Sequence, residues 1–77
     1  MPAYDEILDF VTSAPKLEQI IAYEHSNETI ERVEYLKQAE EQGALTEDEQ
    51  DELQEFRRAS DFMEQLKLRA RRRLAET

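Results

Sequence analysis

The chain has 77 residues, 19 acidic and 10 basic, a formal net charge of -9, one Gly, two Pro, no Cys and no Trp. At this length a single chain buries only about 60% of the surface its unfolded form exposes, which limits it to one domain over 1–77 and excludes a large walled-off substrate pocket. The missing cysteines exclude disulfides and thiolate zinc sites, the single glycine excludes a glycine-rich phosphate loop, and no apolar run is long enough to span a membrane.

Glu, Gln, Leu, Ala, Arg and Lys fill most positions, so the expected fold is all-α. Tyr4, Ile7, Leu8 and Val11 recur at i, i+3, i+4 and i+7, predicting a short helix over about 4–12. Phe10 falls off that stripe and is expected to face a partner. Pro15 suits the first turn of a second short helix over about 15–24, with Leu17, Ile20 and Ile21 on successive turns. Ser26 or Asn27 caps a third helix over about 27–42. Its apolar stripe is Ile30, Val33 and Leu36, with Tyr35 and Ala39 beside it, and Gly43 follows at the position where φ is often positive.

Thr46 and Glu49 have the spacing of a capping box, and the acidic first turn complements the helix dipole. No Gly or Pro follows, so one helix is expected over about 47–74, roughly 42 Å long. Phe56, Ala59, Met63, Leu66, Ala70 and Leu74 cluster within roughly 40° of one direction, with Phe62 at the edge and Leu68 nearly opposite. The last two helices make an antiparallel helical hairpin with unequal arms. The shorter arm reaches only about residues 47–62 of the longer. Positions from Met63 onward must be covered by the two N-terminal helices or by a second copy, so a homodimer or a bound partner is expected.

Charge is uneven along the chain. Residues 1–55 carry 16 acidic and three basic side chains, and residues 56–77 carry seven basic and three acidic. The acidic tip (Glu47, Asp48, Asp51 and Glu52) reads as a solvated cap or as a surface for a basic protein. The basic end, with Arg69, Arg71, Arg72 and Arg73, reads as a dipole complement or as a contact for a partner or nucleic acid. Nucleic acid is the weaker reading, because the net charge repels phosphate and the arginines fan around the helix. The acidic first residues, with Asp5 and Glu6, do not resemble a secretion signal, and a cytoplasmic location is expected.

No catalytic constellation is evident. A Ser–His–Asp arrangement would need His25, the only histidine, beside Ser13, Ser26 or Ser60, and a small helical chain offers no oxyanion hole beyond helix N-termini. No Glu-x-x-His pair is present for a di-metal bundle, and the acids at the turn lack calcium-loop spacing. The reading is a non-enzyme without metal or cofactor, with His25 at a helix junction.

The stretch from Ser26 to Leu74 carries a recognisable pattern. It runs through Glu31-Arg32-Val33-Glu34-Tyr35-Leu36, then Glu41-Gln42-Gly43-Ala44-Leu45-Thr46-Glu47-Asp48-Glu49, continues through Glu52-Leu53-Gln54-Glu55-Phe56, and closes on Phe62-Met63-Glu64-Gln65-Leu66-Lys67-Leu68-Arg69-Ala70-Arg71. It resembles a group of small, mostly uncharacterised bacterial helical proteins, some of which look like antitoxin-like partners in two-gene cassettes with a nuclease-like neighbour. The resemblance implies an antitoxin-like or accessory binding role and brings no catalytic motif.

The expected function is therefore a small acidic helical protein–protein interaction module whose partner is another protein, basic or nuclease-like. Its expected contact residues are Phe10, Glu47, Asp48, Asp51, Glu52, Leu68, Arg69, Arg72, Arg73 and Leu74. The alternatives are a dimeric nucleic-acid-binding regulator using the C-terminal arginines, and a structural protein without catalysis.

Overall fold

A computed structural model describes residues 2–76. The chain is all-α, and the described residues contain no strand. Four helices follow one another: α1 (Pro2–Thr12), α2 (Leu17–Ile21), α3 (Asn27–Glu41) and α4 (Glu47–Glu76). The molecule measures 48 × 20 × 17 Å. Its long axis is that of α4, whose 30 residues span about 45 Å. α1, α2 and α3 each lie against α4.

The helix boundaries follow local chemistry. Ser26 caps α3 by accepting from the Thr29 N–H at 3.3 Å. α3 ends in a Schellman turn: the Gly43 N–H donates to the Glu40 carbonyl and the Ala44 N–H to the Ala39 carbonyl. Gly43 has φ +67°, as this turn requires. Thr46 and Glu49 form the expected capping box, each side chain accepting from the other's backbone N–H at 3.0–3.1 Å.

α2 is shorter than the expected 15–24. Pro15 lies outside it, and Lys16 is its extended N-cap, with φ -74° and ψ 160°. The Lys16 N–H donates to Gln19 Oε1 at 2.7 Å, and a tight turn through Ala22 closes the other end.

α1 ends with Ala14 at φ 55°, the left-handed region that an L-residue other than Gly, Asn or Asp enters at a cost of roughly 1–2 kcal/mol. Ala14→Gly is expected to raise stability by about 0.5–1 kcal/mol, because relief of that strain outweighs the added backbone entropy of glycine. A higher urea midpoint at unchanged slope would register it. A lower midpoint would mean that the strain does not limit the turn.

Two apolar clusters run along α4. Ala3 and Ile7 of α1 meet Ala59 and Met63, flanked by Phe10, Ile20, Tyr23 and Leu66. Val33 and Leu36 of α3 meet Leu53, flanked by Leu45. Phe56 packs against both clusters and joins them. The N-terminal helices therefore cover α4 beyond Phe56 within one chain, and no second copy is needed to complete this core.

The hairpin arms cross. In helices lying side by side and centred on Leu36 and Leu53, Glu40 would stand opposite Glu49 and Arg32 opposite Arg57. Instead Arg57 grips Glu40 at 2.8 and 3.2 Å, while Arg32 grips Glu52 at 2.8 and 3.0 Å and lies 3.8 Å from Glu49. Such partners come within side-chain reach when α3 passes over α4 at an angle near Leu36 and Leu53.

Two faces differ from the hydropathy reading. α1 turns Ala3 and Ile7 inward, with Phe10 half-buried beside them, and leaves Leu8 and Val11 exposed at 55% and 40%. α3 buries Thr29, Val33, Leu36 and Ala39 and exposes Ile30 and Tyr35. One set of hydrogen bonds explains both rotations, and it centres on Glu6.

Candidate functional site

Glu6 projects from α1 to the N-terminus of α3. Its Oε1 accepts from Ser26 Oγ at 2.6 Å and from Thr29 Oγ1 at 2.8 Å, and its Oε2 accepts from the Ser26 N–H at 3.4 Å. In an ordinary capping box the third helical residue returns to the N-cap N–H. Here that residue is Thr29, which cannot, and a carboxylate from another helix takes the role. A negative charge at this place also meets the positive end of the α3 dipole.

Burial pushes the Glu6 carboxyl up, but the hydrogen bonds from Ser26 and Thr29 prevail, with a smaller contribution from His25, and hold it below its ordinary value. Burial, then the Glu6 charge, pushes the Tyr23 phenol up.

His25 sits in the same junction. Its Nδ1 lies 3.4 Å from Tyr23 Oη and 3.5 Å from Glu6 Oε2. Its ring stands between Tyr23 and Phe56, with both centroids 5.3 Å away. Ser26 directs its hydroxyl to Glu6, and no serine is hydrogen-bonded to His25 among the described residues. Nor do three or more metal-ligating side chains converge among them. The cluster ties α1 to the start of α3 and to α4.

Three outward surfaces remain. The acidic tip divides in two. Glu47, Asp48 and Asp51 are exposed. Glu52 is half-buried and held by Arg32, whose hydrogen bonds keep its carboxyl below the ordinary range, so it is not available to a partner as expected. Beside the tip lies a shallow depression of about 350 Å³, lined by Glu40, Gly43, Leu45, Gln50, Asp51, Gln54 and Arg57.

The second surface is the basic end, where Arg69, Arg72 and Arg73 are exposed around a shallow recess that also includes Glu76. Leu68 is 41% exposed, as its position on the helix predicted. Leu74 is half-buried on the opposite side.

The third surface was assigned to the wrong residues from sequence. Phe10 does not face outward: its ring packs on Tyr23, with centroids 4.8 Å apart, within the α1–α4 cluster. The outward apolar residues of α1 are Leu8 and Val11, in line with half-buried Tyr4 and flanked by exposed Asp5 and Asp9. Hydropathy counted Leu8 and Val11 into the core because it could not register that Glu6 must point inward. The informative signal was a Ser-x-x-Thr helix start lacking its own Glu, which leaves the N-cap in need of an outside acceptor.

No helix of the described residues is long and apolar enough to cross a membrane. No protein-family model, curated protein or solved structure matches the chain. The fold is thus all-α, with three helices packed against one long helix among the described residues.

Proposed function

We propose that this chain is a non-catalytic interaction module that binds a basic, amphipathic segment of another protein on the outer face of α1. One observation carries the reading: Leu8 and Val11 stand exposed beside Asp5 and Asp9, on the part of the chain with the large acidic excess. An apolar anchor flanked by carboxylates complements a helix with aliphatic residues on one side and Lys or Arg beside them. The exposed acids at Glu47 and Asp48 add long-range steering, which acts on association rate more than on affinity. A nuclease-like protein inhibited in an antitoxin-like manner is the most concrete partner of this kind, following the family resemblance.

The test is cross-linked capture from the native host with the wild-type chain and with Leu8→Ser/Val11→Ser. The wild type should retain a basic protein in near-stoichiometric amount, and the double variant should lose it with helicity unchanged. Glu47→Lys/Asp48→Lys should slow association several-fold at low salt and little at high salt. Equal capture by the α1 variant would sink the reading.

A further inference from the structure

We infer that α4 also pairs with α4 of a second copy, antiparallel, about a two-fold axis at Phe62. The inference rests on α4 alone and is independent of the α1 docking face. Asp51, Glu55, Arg58, Phe62, Arg69 and Arg73 follow a spacing of three and four residues, with one longer step. At 100° per residue they fall within an arc of about 60° on one side of the helix. This arc lies away from the stripe formed by Ala59, Met63 and Ala70, of which Ala59 and Met63 pack against α1 and α2 residues. Asp51, Arg58, Arg69 and Arg73 are exposed on it, and Phe62 is 45% exposed near its centre.

The charge order selects the occupant. Asp51 and Glu55 occupy one end of the row and Arg69 and Arg73 the other, with Arg58 and Phe62 between them. A parallel copy would set acid against acid and arginine against arginine. In an antiparallel copy centred on Phe62, residue numbers that sum to 124 stand opposite each other. Asp51 then meets Arg73 of the partner subunit, and the two Phe62 rings meet at the axis. Symmetry makes this ion pair twice, as in an isologous interface.

From Asp51 to Arg73 the contact is about 33 Å long. At the outer ends Asp48 faces Glu76 of the partner subunit, which limits the contact to that length. An interface of one helix per subunit belongs to the small class and should be salt-sensitive, because exposed pairs contribute modestly and are screened.

The complete absence of cysteine permits a direct test of register. Phe62→Cys should form a disulfide-linked dimer under mild oxidation, whereas Arg69→Cys alone should not, because its two copies would be about 21 Å apart along the axis. A mixture of Asp51→Cys and Arg73→Cys chains should cross-link to each other. In sedimentation equilibrium at low salt, Asp51→Arg and Arg73→Asp should each weaken the dimer about tenfold, and the double exchange should restore it. Circular dichroism checks that each variant is folded. A wild-type chain that stays monomeric at millimolar concentration and low salt would overturn the proposal. So would cross-linking at Arg69→Cys in place of Phe62→Cys, or an exchange that fails to restore association. Salt-sensitive nucleic-acid binding lost on Arg73→Asp, with no self-association, would assign the arginines to phosphate instead and would also overturn it.

Discussion

Glu6→Ala is expected to lower the stability of the fold by about 2–3 kcal/mol, the range for hydrogen bonds to a charged group and for stranding a buried hydroxyl. The Thr29 residue is only 1% exposed, and its hydroxyl donates to Glu6. Without that carboxylate, Thr29 loses its acceptor, the α3 N-cap loses its outside partner, and the rotation of α1 is no longer fixed. Glu6→Gln keeps one carbonyl oxygen and should cost less.

The pH dependence has a definite sign. The folded carboxyl is held below its ordinary value of 4.5, so its stabilisation is complete above that value and is lost as pH falls through the folded one. The stability gap between wild type and Glu6→Gln should therefore be widest near neutrality and shrink on acidification. Comparing the two chains removes the opposing effect of the -9 net charge, whose self-repulsion relaxes in acid. Urea titrations at pH 7 and pH 3 measure the gap. A gap that does not change with pH would show that the carboxylate's charge is not what the N-cap uses.

Phe56→Ala should cost about 3 kcal/mol, at the low end for removing a core phenylalanine because the ring is only half-buried. The effect should extend beyond the missing contacts. Phe56 packs on the α1–α4 cluster, on the α3–α4 cluster and on His25. Removing it leaves two small cores connected through the α4 backbone and the Glu6 hydrogen bonds to Ser26 and Thr29. Amide exchange should then accelerate more in α1 and α2 than in α3, since Leu36 and Leu53 keep each other. Phe56→Leu should recover much of the loss. Uniform acceleration across all four helices would mean that the two clusters already behave as one.

The helix pattern was legible in the sequence wherever backbone chemistry dominates. Thr46 with Glu49, Gly43 after Glu41, and Ser26 before Asn27 are local devices whose partners lie within five residues. They set the ends of α3 and the start of α4. The regular spacing from Phe56 to Ala70 likewise read true, because a long uninterrupted helix keeps its period. What could not be read was the rotation of α1 and α3. Tyr4, Ile7, Leu8 and Val11 form a convincing stripe, yet Ala3, Ile7 and Phe10 face inward. The deciding contact joins Glu6 to Ser26 and Thr29, at least twenty positions away, and polar residues are ordinarily assigned to solvent. Glu52 was misread for the same reason: its Arg32 partner lies on another helix. Leu68, 41% exposed, was placed outward from its position on the helix alone.

The arrangement of three helices against α4 has a consequence for biosynthesis. As the chain emerges from the ribosome, α1, α2 and α3 appear before the surface that they share. α2 has five residues and α1 eleven, both below the length at which an isolated helix holds together in water. Until α4 has been made, these segments have no template, and Ile7, Leu36 and Phe10 remain open to other proteins. The acidic excess of residues 1–55 falls on this early-emerging part, where mutual repulsion keeps nascent chains apart until the long helix gathers them.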